Sequence, residues 1–282
     1  MNEVDERRRA RLRRLFALSA ALAILLAGYW FIRSHAGGAK LGAQPWMFGG
    51  TPAAYPWMAV VNYAGRQCGA TLIRPQWLLT AAHCRLEAGD PVYVGYSKIG
   101  WFRKYLPTAR VAEICKITGH QTPRRFLKDL ALVELSRSLS SQQVKLEHAS
   151  PSAGTSVVVA GYGYQESGLF SQQLLKVALR VTSDQQCLDD WMSLDYPPKP
   201  EDMASVLCAS APGKIAGPCD FDSGGPLLLA TNERQVGIVS HSRWYPDCGH
   251  EHEPALYTRT APYAAWIESV VDRGDRSQCV AK

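Results

Sequence analysis

Three short segments carry the residues best suited to do chemistry. Thr80-Ala81-Ala82-His83-Cys84 stands early in the chain, Asp129-Leu130-Ala131-Leu132 in the middle, and Asp222-Ser223-Gly224-Gly225-Pro226 late. A serine hydroxyl is a weak nucleophile near neutral pH. It needs a base within hydrogen-bond reach, and the base needs a third group to orient it. His83 can take the proton of Ser223 and return it to a leaving amine, while Asp129 fixes the imidazole tautomer and stabilises its charged form. Singly, each has a plain structural role: a surface or core histidine, a turn aspartate, a serine in a glycine loop. The order His, Asp, Ser is more informative, because nucleophilic hydrolases on other folds carry the same groups in other orders. Cys84 directly after the histidine and Cys219 four residues before the serine add to the pattern.

These segments resemble the trypsin/chymotrypsin family of serine endopeptidases, over about Met47 to Asp272. The resemblance implies an all-β fold of two antiparallel β-barrels with a C-terminal helix. His83 and Asp129 would come from the first barrel and Ser223 from the second, with the division near residues 149–154. It implies hydrolysis of peptide or protein substrates through an acyl-enzyme on Ser223, with no cofactor and no metal. The backbone N–H groups of Phe221 and Ser223 would form the oxyanion hole, and Gly224 and Gly225 would permit the tight turn after the nucleophile. Ser240 would hydrogen-bond Asp129 and lie on the strand that pairs with an extended substrate. His241 follows it where the family usually has Trp, setting a polar, titratable wall beside the substrate.

The chain also departs from the family at informative positions. Gly217, six residues before the nucleophile, stands where trypsin-like members carry Asp, and Ser242 and Ala255 would form the pocket walls. A neutral pocket for a small or apolar side chain follows, and trypsin-like cleavage does not. Phe221 replaces the usual Gly; it keeps an N–H but resists backbone conformations that Gly adopts freely. A misdirected oxyanion donor costs about 10² to 10³ in rate. Trp46-Met47-Phe48-Gly49-Gly50 stands where the family has a basic residue followed by Ile-Val-Gly-Gly. There, cleavage frees an ammonium that inserts beside the Asp preceding the nucleophile. Met47 is the corresponding terminus and Asp222 its receiver, with an activating protease, autoprocessing or activity without cleavage as the routes. Phe221 and the non-basic activation site motivate an alternative: a catalytically weak protease-fold protein that binds peptides or proteins.

The elements that must hold these groups read as strands. Short apolar runs such as residues 58–61, 70–73, 77–80, 92–94, 131–135, 157–160, 174–181, 227–229 and 236–239 are rich in branched residues and punctuated by Gly, Pro, Asn and Asp. Helical spacing stands out only over residues 262–272, with Tyr263, Trp266, Ile267, Val270 and Val271 on one side. Residues 188–207, with Trp191, Tyr196 and a proline cluster, read as an extended rim loop that helps select substrate. His250, Glu251 and His252 read as part of a solvated loop rather than a metal site.

The N-terminus explains the charge. The net charge is +6, but residues 1–33 hold seven Arg against Glu3, Asp5 and Glu6, leaving +2 for the rest and no basic stripe for nucleic acid. Residues 1–14 form a basic segment, 15–32 an uncharged apolar one, 33–46 a linker or propeptide, and 47–282 the peptidase domain. Residues 15–32 approach a bilayer-spanning length, and the Arg cluster before them predicts that the remainder is exported, the membrane being a partner through this helix. A cleaved signal peptide, cut near Ser34-His35-Ala36, is the alternative.

All eight cysteines follow the apolar segment, as suits disulfides in an exported chain, although eight allow roughly a hundred pairings. The resemblance pairs Cys68 with Cys84, Cys187 with Cys208, and Cys219 with Cys248. Cys115 and Cys279 are left, and we infer that they pair, two free thiols being the alternative. No Cys precedes Cys68, so a cut before Met47 would release the domain from its leader.

Overall fold

The computed structural model describes residues 47, 49–63, 66–98, 107–116, 127–164, 171–192, 197–243, 247–249 and 254–280. The expected membrane segment at 15–32 lies outside them. Among the described residues no helix is long and apolar enough to cross a membrane.

The apolar runs become two antiparallel barrels. In the first, β2 (Met58–Tyr63), β3 (Arg66–Arg74), β4 (Trp77–Thr80), β7 (Ala131–Leu135), β6 (Ala109–Lys116) and β5 (Pro91–Val94) pair in ring order, closed between β6 and β7. In the second, β8 (Ser156–Gly161), β9 (Leu175–Val181), β10 (Val206–Ser210), β13 (Ala255–Arg259), β12 (Gln235–His241) and β11 (Pro226–Leu229) close between β8 and β9. Closure leaves no strand edge unpaired within either ring. The alternation of β9 is the sequence cause made visible: Leu175, Val177, Leu179 and Val181 are buried while Ala178 and Arg180 face out.

Two further strands exchange between the barrels. β1 (Thr51–Pro52), from the start of the domain, pairs with β9 of the second barrel, whereas β14 (Cys279–Val280), from its end, pairs with β6 of the first. Ahead of β14, α2 (Ala264–Val271) places Ile267 and Val270 in the first-barrel core with Leu72, Leu78 and Val133. Burial of two such side chains contributes about 1.5–3 kcal/mol each. A buried polar link also joins the barrels, with Thr71 Oγ1 donating to Gln235 Oε1 at 2.8 Å.

Four disulfides join Cys68 to Cys84, Cys115 to Cys279, Cys187 to Cys208, and Cys219 to Cys248. The described part of the expected rim loop carries regular structure. Its first residues end α1 (Asp184–Asp190), started by Ser183, whose side chain accepts from the Gln186 N–H, and it contains a 3₁₀ turn at Pro200–Ala204. Trp191, at the end of α1, is buried with Met203, Val206 and Leu256.

Candidate active site

His83 sits in a single 3₁₀ turn, Ala82–Cys84, directly after β4. Small Ala81 and Ala82 allow the tight reversal, the left-handed Arg85 (φ 47°) ends it, and the Cys68–Cys84 bridge pins it to β3. Asp129 follows another left-handed residue, Lys128 (φ 53°), just before β7. That backbone turn directs the carboxylate inward, where it is fully buried.

The two groups meet in a closed hydrogen-bond set. His83 backbone N–H donates to Asp129 Oδ1 at 2.9 Å, and His83 Nδ1 lies 2.7 Å from Asp129 Oδ2. Ser240 Oγ, on β12 of the opposite barrel, donates to the same Oδ2 at 2.5 Å, and Thr258 Oγ1 on β13 donates to the Asp129 carbonyl at 3.1 Å. Burial alone would raise the Asp129 carboxyl. The positive character of His83 and the hydrogen bonds from His83 and Ser240 outweigh it and hold the carboxyl below its ordinary value. An ionised carboxylate only accepts, so Nδ1 carries the proton and Nε2 is left as the basic nitrogen.

Ser223 stands on the turn between Cys219 and β11. The Gly69 N–H donates to its carbonyl at 2.7 Å, and Cys84 Sγ lies 4.0 Å from that same oxygen, which brings the serine turn against the residue next to His83. Gly224 makes this approach possible. It adopts φ 79°, and a Cβ there would stand 2.2 Å from Thr80 Oγ1 and 2.3 Å from the Gly69 carbonyl.

Phe221 adopts φ 74°, in the left-handed region that bulky side chains rarely occupy. The conformation is the one that glycine adopts at no cost, and its ring stacks edge-on to Tyr164 at 5.0 Å. Beside it, Asp222 is fully buried and accepts from Gly163 N–H (2.7 Å) and Cys219 N–H (2.9 Å). Burial pushes its carboxyl up to about 7 despite those donors. Met47 is also fully buried; its methyl and the Asp222 carboxylate both crowd the face of Gly161 where a Cβ would stand.

Gly217, Ser242 and Ala255 line one shallow cavity, open to solvent, together with Ser210, Pro218 and Arg243. Arg243 is the charged member that the sequence reading did not place there. Its guanidinium carbon lies 5.8 Å over the Trp191 ring, which also meets His241 edge-on at 5.3 Å. Trp191 Nε1–H in turn donates to the Pro254 carbonyl at 3.0 Å. The Trp191 indole thus underlies both the cavity wall and the strand carrying Ser240. Tyr196, Trp244, His250, Glu251, His252 and Glu253 lie outside the described residues.

Comparisons with known proteins identify the family. A family model described as Trypsin matches residues 47–267. Mannan-binding lectin serine protease 1 of Mus musculus is 29% identical over 79% of this chain and 35% of its own length. Transmembrane protease serine 9 of Rattus norvegicus is 31% identical over 80% of this chain and 22% of its own length. The chain therefore spans well under half of either relative. Neuropsin, a serine protease expressed in the limbic system of mouse brain, superposes with a TM-score of 0.67 at 24% identity, covering 79% of this chain and 97% of that one. With two closed barrels and a match across the whole of both, the chain belongs to the trypsin family of serine endopeptidases.

Proposed function

We propose that this protein is an exported serine endopeptidase, tethered by residues 15–32, that cleaves peptide bonds through His83, Asp129 and Ser223. The observation that carries the reading is the buried Asp129 carboxylate, which holds the His83 Nδ1 proton and is itself held by Ser240 from the other barrel. An imidazole so oriented presents Nε2 as the base.

In the first half-reaction Ser223 Oγ bonds to the substrate carbonyl carbon while its proton passes to His83 Nε2. The N–H groups of Phe221 and Ser223 take the charge on the carbonyl oxygen. The C–N bond then breaks, the imidazolium proton goes to the leaving amine, and an ester remains on Ser223. Water, deprotonated by the same nitrogen, attacks the ester and restores the serine hydroxyl as the acid leaves.

The cavity around Gly217 carries no carboxylate among its described lining residues, which favours non-tryptic cleavage after a small or apolar side chain. Domain division follows the charge pattern: residues 1–14 inside the membrane barrier, 15–32 across it, 33–46 as linker, and 47–282 as peptidase on the exported side. A relative named as a transmembrane protease is consistent with this tether. Met47 with Asp222 would form the activation switch, the free ammonium of a processed Met47 supplying charge to a carboxyl that burial disfavours as an anion.

The test is labelling with a serine-directed fluorophosphonate, read by mass spectrometry, on the full-length protein and on a form beginning at Met47, with Ser223→Ala and His83→Ala as controls. Label on Ser223 in the Met47 form alone supports a triad under zymogen-like control. Label in neither form, from folded protein, favours the second reading, a weakly catalytic peptide-binding protein, which Phe221 motivates.

A further inference from the structure

A phenylalanine held at φ 74° persists only where its surroundings over-determine it. The segment 162–164 supplies such surroundings on three successive residues. Gly163 N–H donates to Asp222 Oδ1 at 2.7 Å, and Tyr164 N–H donates to the Asp220 carbonyl at 3.1 Å. Between these two anchors the Tyr164 ring meets the Phe221 ring at 5.0 Å and 89°, the edge-to-face geometry in which aromatic pairs attract beyond their buried area. Gly163 lets the segments approach so closely, since a Cβ there would fall 2.4 Å from Asp222 Oδ2 and 2.6 Å from the Asp220 carbonyl. The residue before Phe221, its own ring and the residue after it are therefore all gripped from one side.

We propose that Tyr164 is a positioning residue for the oxyanion hole: its ring holds Phe221 in the left-handed conformation that aims the Phe221 N–H at the reacting carbonyl. The inference rests on the peptidase reading above. A glycine at 221 would need no such support, so Tyr164 matters only because Phe221 is there. A tyrosine that merely packs its own loop would not depend on the residue at 221.

The test is a double-mutant cycle on the Met47 form, measuring kcat and KM for a peptide amide and the affinity for a peptide aldehyde, whose serine adduct places an oxygen in the hole. Tyr164→Ala is expected to lower kcat about tenfold, with KM within about twofold, and to weaken the aldehyde by a similar factor. Tyr164→Phe keeps the ring and stays within about twofold of the parent. In a Phe221→Gly background the loss from Tyr164→Ala shrinks to less than about twofold. An unchanged kcat in Tyr164→Ala, or an equal loss in both backgrounds, overturns the proposal. If the parent protein takes no fluorophosphonate, the peptidase reading has failed, and the strut is then read from thermal unfolding of the four proteins. Coupled losses of stability support it, and additive ones overturn it.

Discussion

The Gly163 N–H reaches Asp222 Oδ1 at 2.7 Å, making the backbone of one turn the partner of a carboxyl buried in another. Burial dominates that carboxyl and pushes it up to about 7. A raised pKa means the folded chain holds a proton that the unfolded chain releases. The stability so contributed is complete below 3.8 and lost as pH rises through about 7. At 1.36 kcal/mol per unit this is about 4 kcal/mol. Thermal midpoints of the full-length protein should therefore fall from pH 4 to pH 8, and Asp222→Asn should flatten the fall. A chain beginning at Met47 should flatten it too, if its ammonium meets Asp222. Equal slopes in all three would remove Asp222 from the switch.

Ser240→Ala takes one donor from a carboxylate that cannot be solvated. Its expected cost is about ten- to a hundredfold in kcat/KM. The direction in pH is also set. The Asp129 carboxyl is depressed in the fold, so its contribution to stability is present above its unfolded value and lost as pH falls through its folded one. Without Ser240 that loss moves to higher pH, as acid unfolding followed by circular dichroism would record.

Trp191 joins a hydrogen bond to Pro254 with contacts to His241 and Arg243. Trp191→Ala should cost about 3–5 kcal/mol in urea unfolding. Trp191→Phe, which keeps a ring but not the N–H, should cost about 1 kcal/mol for the lost bond. Profiling with a peptide library should show both variants relaxing side-chain preference at the cleavage site, while a change in stability alone would reduce Trp191 to packing.

Gly224→Ala places a methyl against Thr80 and the Gly69 carbonyl at a position where φ is 79°. Displacement of the serine turn by even about 1 Å should lower kcat about a hundredfold or more. Folded protein with near-parental turnover would show that the turn tolerates the shift.

The tail is fixed by more than the Cys115–Cys279 bridge. Arg276 pairs with Glu113 at 3.1 Å and Glu134 at 3.3 Å, and its guanidinium carbon stands 4.5 Å over the Trp77 ring. Replacing both cysteines by Ser should cost about 2–4 kcal/mol in urea unfolding. Arg276→Ala, which removes ion pairs open to solvent on the arginine side, should cost about 1 kcal/mol and lose part of its effect at high salt.

Much of this was legible in the residues because strand alternation is local. Leu175, Val177, Leu179 and Val181 declare their face by spacing alone, and the motifs around His83 and Asp129 name two residues that the fold brings into contact. Helix α1 escaped because seven residues are too few for a helical period, although Ser183 followed by Gln186 is a start signal that could have marked it. The Tyr164–Phe221 contact and the place of Arg243 in the cavity wall escaped for another reason. Each joins segments far apart in the chain, and no local pattern encodes which loops will face one another. Phe221 itself announced a backbone problem, but not the ring that answers it.

Strands β1 and β14 are exchanged: the start of the domain adds a strand to the second barrel, and Cys279–Val280, beyond the second ring, adds one to the first. An uninterrupted stretch holding either ring alone would therefore lack the strand that the far side of the chain adds to it. The far end of β6 in the first lobe stays bare until β14 has been made, so that lobe's last backbone partner arrives only after the whole second ring.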